Sequence, residues 1–122
     1  MMRGYEYRGA ENVTIETVKI LPPESPVDMQ ASAAEAATWL KTLAHEGRLM
    51  ILCHLCQGEK SVSALEELLD MRQAAVSQML ARLRDEGLVA TRREGKTVFY
   101  SLADDRAEQM IGLLYKFFCG AK

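Results

Sequence analysis

The stretch RQAAVSQMLARLRDEGLVATRREGKTVFY, residues 72–100, decides the fold because its hydrophobic period changes half-way along. Val76, Met79, Leu80 and Leu83 recur at i, i+3, i+4 and i+7, the stripe of an amphipathic helix that starts near Gln73. Gly87 is placed to end it, since glycine enters the left-handed conformation of a helix C′ position without a steric penalty. The period then shortens. Residues 88–93 read as a strand, Glu94-Gly95-Lys96 as a turn, and residues 97–102 as the returning strand, with β-branched and aromatic Val98, Phe99 and Tyr100 at its centre.

Working outward, Ser63-x-x-Glu66 has the form of a capping box and opens a short helix carrying Leu65, Leu68 and Leu69. Upstream of it a helix carries Leu49, Leu52, Cys53 and Cys56 and ends near Gly58. A break at His45-Glu46-Gly47 separates it from a first helix, which Ser32-x-x-Glu35 caps and which places Ala36, Trp39, Leu40 and Leu43 at helical spacing. Downstream, Asp105-x-x-Glu108 starts a last helix with Ala107, Met110, Ile111, Leu114 and Phe118 on one face. The fold class is therefore mainly α with a β-hairpin wing: a winged helix-turn-helix of about five helices, spanning residues 31–120. Residues 1–30 hold all three prolines and lack helical periodicity. They read as an extended or mobile N-terminal arm, in which residues 13–21 alternate weakly.

A chain of 122 residues with 48% hydrophobic and 26% charged composition is an ordinary single globular domain with a tail. The N-terminus has no signal-peptide h-region and no stretch is long and apolar enough to span a bilayer, so a cytoplasmic protein with reduced thiols and no membrane partner is expected. The formal net charge of -2 excludes a uniformly basic coat. The charge is segregated, however. Residues 72–100 carry six Lys/Arg against three Asp/Glu, a net of +3, which leaves -5 for the rest. One basic surface on an acidic chain suits a protein that binds an anionic polymer from one side.

The helix after Met71 leaves Gln73, Ala74, Ser77, Gln78 and Arg82 off its buried stripe. Small residues let a helix enter a groove deeply, while Gln, Ser and Arg hydrogen-bond base edges or phosphates. With Arg72 before them, and Arg92, Arg93, Lys96 and Thr97 on the hairpin, they form the candidate DNA-binding set. No nucleophile–base pair and no glycine-rich phosphate loop is present, so neither an enzyme nor a cofactor is expected.

LKTLAHEGRLMIL, RQAAVSQMLARLRDEGLV and RREGKTVFYSL, in that order, resemble the ArsR family of small dimeric repressors over roughly residues 32–119. The resemblance implies that residues 73–83 form a recognition helix and residues 92–96 a wing tip. It also implies a homodimer built from the first and last helices, to which Phe117 and Phe118 would add apolar surface. Two recognition helices on successive turns, ~34 Å apart, would read an inverted-repeat operator in double-stranded DNA.

The family is usually released from DNA by a ligand, most often a metal. The stretch where one familiar family site has Cys-x-Cys reads Ser61-Val62-Ser63, and the last helix, where another has Asp and His, holds Asp104, Asp105 and Glu108 but no His. Cys53 in ILCHL and Cys119 in FFCGAK instead resemble the thiol pair of the persulfide-sensing SqrR/BigR-like branch; GEKSV and RQAAVSQ look like that branch too. The implied chemistry is redox sensing. One thiolate attacks a sulfane sulfur of a persulfide or polysulfide inducer, the second captures it, and a bridge of more than two sulfurs results. A direct disulfide requires Cα atoms within ~7 Å, so thiols held slightly farther apart would favour inserted sulfur.

Cys56 has several readings: a small core residue, a competing or resolving thiol, or the third ligand with Cys53 and Cys119 of a site for arsenite or another thiophilic metal. A rival of another class is a thiol oxidoreductase using Cys53 and Cys56, although the strand–helix context of that chemistry is lacking. His45 and His54 make no metal motif, and Met50, Met71, Met79 and Met110 read as core filler.

Overall fold

In the computed structural model, residues 26–119 are described. They form helix α1 (Pro26–Leu43), α2 (Glu46–Leu55), strand β1 (Lys60–Ser61), α3 (Val62–Leu69), α4 (Gln73–Asp85), the hairpin β2 (Val89–Glu94) and β3 (Thr97–Leu102), and α5 (Asp105–Phe118). The chain divides into two compact units, residues 1–34 and 35–122, and the core, the sheet and the thiols all belong to the second. Of the arm expected over residues 1–30, residues 1–25 lie outside the described residues, and residues 26–30 are helical and belong to α1.

Helix α1 starts at Pro26, upstream of the expected Ser32, which lies inside it. Proline is well suited to a first helical position, where its missing N–H has no helical partner to lose and its φ is already helical. The other two expected caps move by one or two residues. Ser61, not Ser63, caps α3 by accepting from Ala64 N at 3.1 Å. Asp104, not Asp105, caps α5 by accepting from Arg106 N at 2.8 Å. In each case two neighbouring oxygens were available, and the one on extended backbone took the role.

Both helices of the helix-turn-helix end in the same hydrogen-bond pattern. After α4, Gly87 at φ 78° lets its own N–H reach Arg84 O and the Leu88 N–H reach Leu83 O, both at 2.9 Å. After α3, Asp70 takes the left-handed position at φ 56°, with its N–H on Glu67 O and the Met71 N–H on Glu66 O. The first of these stops was expected; the second uses aspartate where glycine is commoner.

The expected hairpin forms, and its two-residue turn places Gly95 at φ 63° with Lys96 outside the positive-φ region, the type II′ arrangement that matches strand twist. A third strand was not expected. β1 pairs antiparallel with β3 through Lys60↔Tyr100 and Ser61↔Phe99, giving the order β1-β3-β2.

The core is Leu43, Ile51, Leu52, Leu55, Leu65, Val76, Met79, Leu80, Leu83, Leu88, Val89, Ala107 and Ile111. Each fully buried large aliphatic side chain in it contributes about 1.5–3 kcal/mol of transfer free energy. The α4 stripe is buried as expected. Other expected positions are not: Cys56, Leu68, Met50, Met71, Ala36, Leu40 and Phe118 are exposed. In α2 the buried face turns out to be Ile51, Leu52 and Leu55, so Leu49 and Cys53 are half-buried at its margin. Polar ties join helix α1 to the rest. Arg48 Nε donates to Thr42 O at 2.6 Å, and Trp39 Nε1 donates to Asp104 Oδ2 at 3.1 Å.

Candidate nucleic-acid interface and thiol pair

Every candidate DNA-binding residue named above is exposed: Arg72, Gln73, Ala74, Ser77, Gln78 and Arg82 along α4, and Arg92, Arg93, Lys96 and Thr97 on the hairpin. Those on α4 are exposed because the same helix buries Val76, Met79, Leu80 and Leu83 on its other side. Arg72 stands at the N-cap of α4 without a side-chain cap bond. The first-turn N–H groups and the positive end of the helix dipole are therefore flanked by a cation, a combination that favours phosphate. Arg93 and Lys96 sit at the end of the hairpin.

Arg92 is differently placed. Its guanidinium lies 4.7 Å from the Phe99 ring centroid, bonds both oxygens of Glu59 at 2.6–3.0 Å and reaches Glu94 at 3.2 Å. Those bonds hold the Glu59 carboxyl below its ordinary range and the guanidinium above its own. Sequence reading gave Arg92 no such partners, because Glu59 lies far upstream and precedes a strand too short to recognise.

The three cysteines are free thiols. Cys53 is half-buried on α2, and Cys119, exposed, ends α5 with its N–H on Tyr115 O at 2.7 Å. Helices α2 and α5 pack together. The Cys53 thiol is pushed above the ordinary thiol range, first by burial and then by the charge of Cys119. Cys56 is the C-cap residue of α2 and is exposed, which corrects its reading as core. Its thiol is likewise raised, by burial and then by Cys53 and Glu108. Among the described residues no group of three or more His, Cys, Asp or Glu side chains is arranged to hold a metal ion. Cys53 and Cys119 thus belong to two helices that pack on each other, and Cys56 lies one turn beyond Cys53 on the first of them. His54 points its Nε2 into a buried position with no hydrogen-bond partner among the described residues.

The model of bacterial regulatory proteins of the arsR family matches residues 45–91, from the N-cap of α2 into β2. A biofilm growth-associated repressor from Agrobacterium fabrum is 50% identical over 106 residues, covering 80% of this chain and 91% of that protein. The chain belongs to the ArsR family. The crystal structure of the transcriptional repressor BigR from Xylella fastidiosa superposes on this ArsR-family chain with a TM-score of 0.71 at 44% identity, over 78% of this chain and 97% of that one. A homodimeric winged helix-turn-helix DNA-binding domain from Mycobacterium bovis gives 0.64 at 32% identity, over 77% and 86%. This ArsR-family protein is accordingly a DNA-binding transcriptional regulator with a winged helix-turn-helix fold, on the BigR-like side of the family. No helix among its described residues is long and apolar enough to cross a membrane.

Proposed function

We propose that this regulator is a cytoplasmic homodimeric repressor, bound to an inverted-repeat operator while Cys53 and Cys119 are reduced and released when reactive sulfur links them. The observation that supports the reading is the packing of α2, which bears Cys53, on α5, which Cys119 ends. Dimerisation is supported by Leu40, Tyr115, Phe117 and Phe118, which are 47–72% exposed on two helices that this chain leaves partly uncovered. DNA contact is assigned to the exposed face of α4 with Arg72, and to Arg93, Lys96 and Thr97 of the wing.

The chemistry balances as two thiol–sulfane substitutions. The thiolate of exposed Cys119 attacks the central sulfur of an organic trisulfide, displacing one thiolate. Cys53 then attacks the same sulfur and displaces the second, leaving one sulfur between the two Sγ atoms. The reagent is reduced to two thiols and the protein pair is oxidised. Linking α2 to α5 alters the angle at which two protomers meet. A loss of about 3 kcal/mol in specific binding would release the operator more than a hundredfold.

The oxidoreductase alternative fares worse on physical grounds. Cys53 and Cys56 lie at the C-terminal end of α2, ahead of a two-residue strand, without the strand–helix context of that chemistry. For the arsenite alternative, no group of three or more candidate ligands is arranged around one point among the described residues. The deciding experiment is a gel shift on a duplex selected by the reduced protein, with an organic trisulfide, peroxide and arsenite compared as inducers. Release by the trisulfide, with one added sulfur mapped between Cys53 and Cys119 by mass spectrometry, is expected; equal release of a protein with both cysteines changed to serine would end the reading.

A further inference from the structure

We propose that the Glu59–Arg92 clasp is a positioning device that fixes the wing against the helix-turn-helix, so that Arg92 acts through the wing and not on DNA. The proposal rests on the DNA-binding reading above. Its basis is the course of the side chain across the sheet. Ser61, Phe99 and Arg92 form one row, because Phe99 is the register partner of Ser61 on one side and of Arg92 on the other. Arg92 therefore starts on outer strand β2, crosses the ring of Phe99 on central strand β3, and meets Glu59 just before the opposite edge strand β1. Glu94, two residues on and on the same face, holds the other side of the guanidinium at 3.2 Å.

This route matters because β1 is only two residues long, so few ladder bonds join it to the hairpin. The residue that ends β1, Ser61, is also the cap of α3. The clasp thus links the strand bearing Arg93 to Glu59, the residue just before the pair that launches the helix-turn-helix. A guanidinium stacked on a ring and bound by two carboxylates has three of its five N–H groups engaged and its plane fixed by the sheet. Arg93, by contrast, is on the other face of β2, since successive strand residues alternate.

The test exploits opposite signs. Glu59→Gln removes a negative charge near DNA, which by simple electrostatics strengthens binding. If the clasp positions the wing, the same change weakens it, by roughly fivefold, and speeds hydrogen exchange at the amides of residues 93–97 in the free protein. The charge-swapped Glu59→Arg, Arg92→Glu double variant restores both readouts. Affinities are measured by fluorescence anisotropy on the wild-type-selected duplex across a salt series. Unchanged or tighter binding by E59Q overturns the proposal, as does a swap that fails to restore it. So does an Arg92→Gln variant whose salt slope falls by about one per protomer, which marks a lost phosphate contact. A wild-type chain that selects no duplex would sink the DNA reading itself, and the exchange rates of the free protein distinguish that failure from failure of the clasp.

Discussion

The indole N–H of Trp39, near the end of α1, is held by the carboxylate of Asp104, the residue that caps α5. The same carboxylate accepts from the backbone and side chain of Arg106, whose guanidinium lies 5.2 Å from the Trp39 ring centroid. One side chain therefore joins the two helices that the proposed dimer would use.

Asp104→Ala is expected to lower stability by about 2 kcal/mol, from the lost cap and the unpaired indole. Thermal denaturation at neutral pH measures it. The Asp104 carboxyl is held down at about 2 by the Arg106 and Trp39 bonds. With an unfolded value of about 3.9, its contribution is complete above that pH and is lost as the pH falls through the folded value. The acid limb of a stability profile should flatten in the Ala variant; an unchanged limb would contradict the assignment.

Cys53 should react slowly at neutral pH. Its thiol is raised by burial and by Cys119, so the thiolate fraction is small and rises with pH throughout the neutral range. Alkylation of Cys53 in the wild-type protein, followed by peptide mapping, should accelerate about tenfold per pH unit without levelling off near neutrality. Changing Cys119 to Ser removes one raising influence and should shift the curve toward lower pH. A plateau near pH 7 would show that burial does not control this thiol.

Cys56→Ser should leave release by organic trisulfide intact, whereas Cys53→Ser or Cys119→Ser should abolish it. Gel shifts with the three single variants make the comparison. A Cys56 variant that no longer responds would move the sensing pair.

The turn between α3 and α4 depends on Asp70 in the left-handed conformation. Asp70→Val should destabilise by about 1–2 kcal/mol, because a β-branched side chain meets its own backbone there, while Asp70→Asn should be neutral within about 0.5 kcal/mol. Urea midpoints would reveal either departure.

Arg93→Gln and Lys96→Gln should each weaken DNA binding across sequences and lower the salt dependence by about one counterion per protomer. A variant that changes base preference but not the salt slope would instead indicate direct readout by the wing.

Much of this was legible beforehand because it depends on period and on glycine. Val76, Met79, Leu80 and Leu83 reported the buried side of α4, Gly87 its end, and Gly95 the hairpin turn. What was not legible depends on choices among near-equivalents or on long-range contact. Ser61 and Ser63, or Asp104 and Asp105, offer similar oxygens, and only the path of the backbone decides between them. A two-residue strand such as β1 leaves no periodic trace. Leu40, Leu68 and Phe118 have the spacing of core residues yet are exposed, since helical period marks an apolar face without saying what covers it. The packing of the helix that bears Cys53 on the one that Cys119 ends, and the contact of Glu59 with Arg92, exist only once the chain has folded.

Arg48 leaves one more mark on how this molecule can move. Its side chain grips the carbonyls of Thr42 and Lys41 at the end of α1, while its own N–H is capped by His45 Nδ1. The elbow between the first two helices is therefore braced like a bracket and does not bend as a free joint. A tilt of the rod that bears Cys53 would therefore be felt at the final turn of its predecessor through these same bonds.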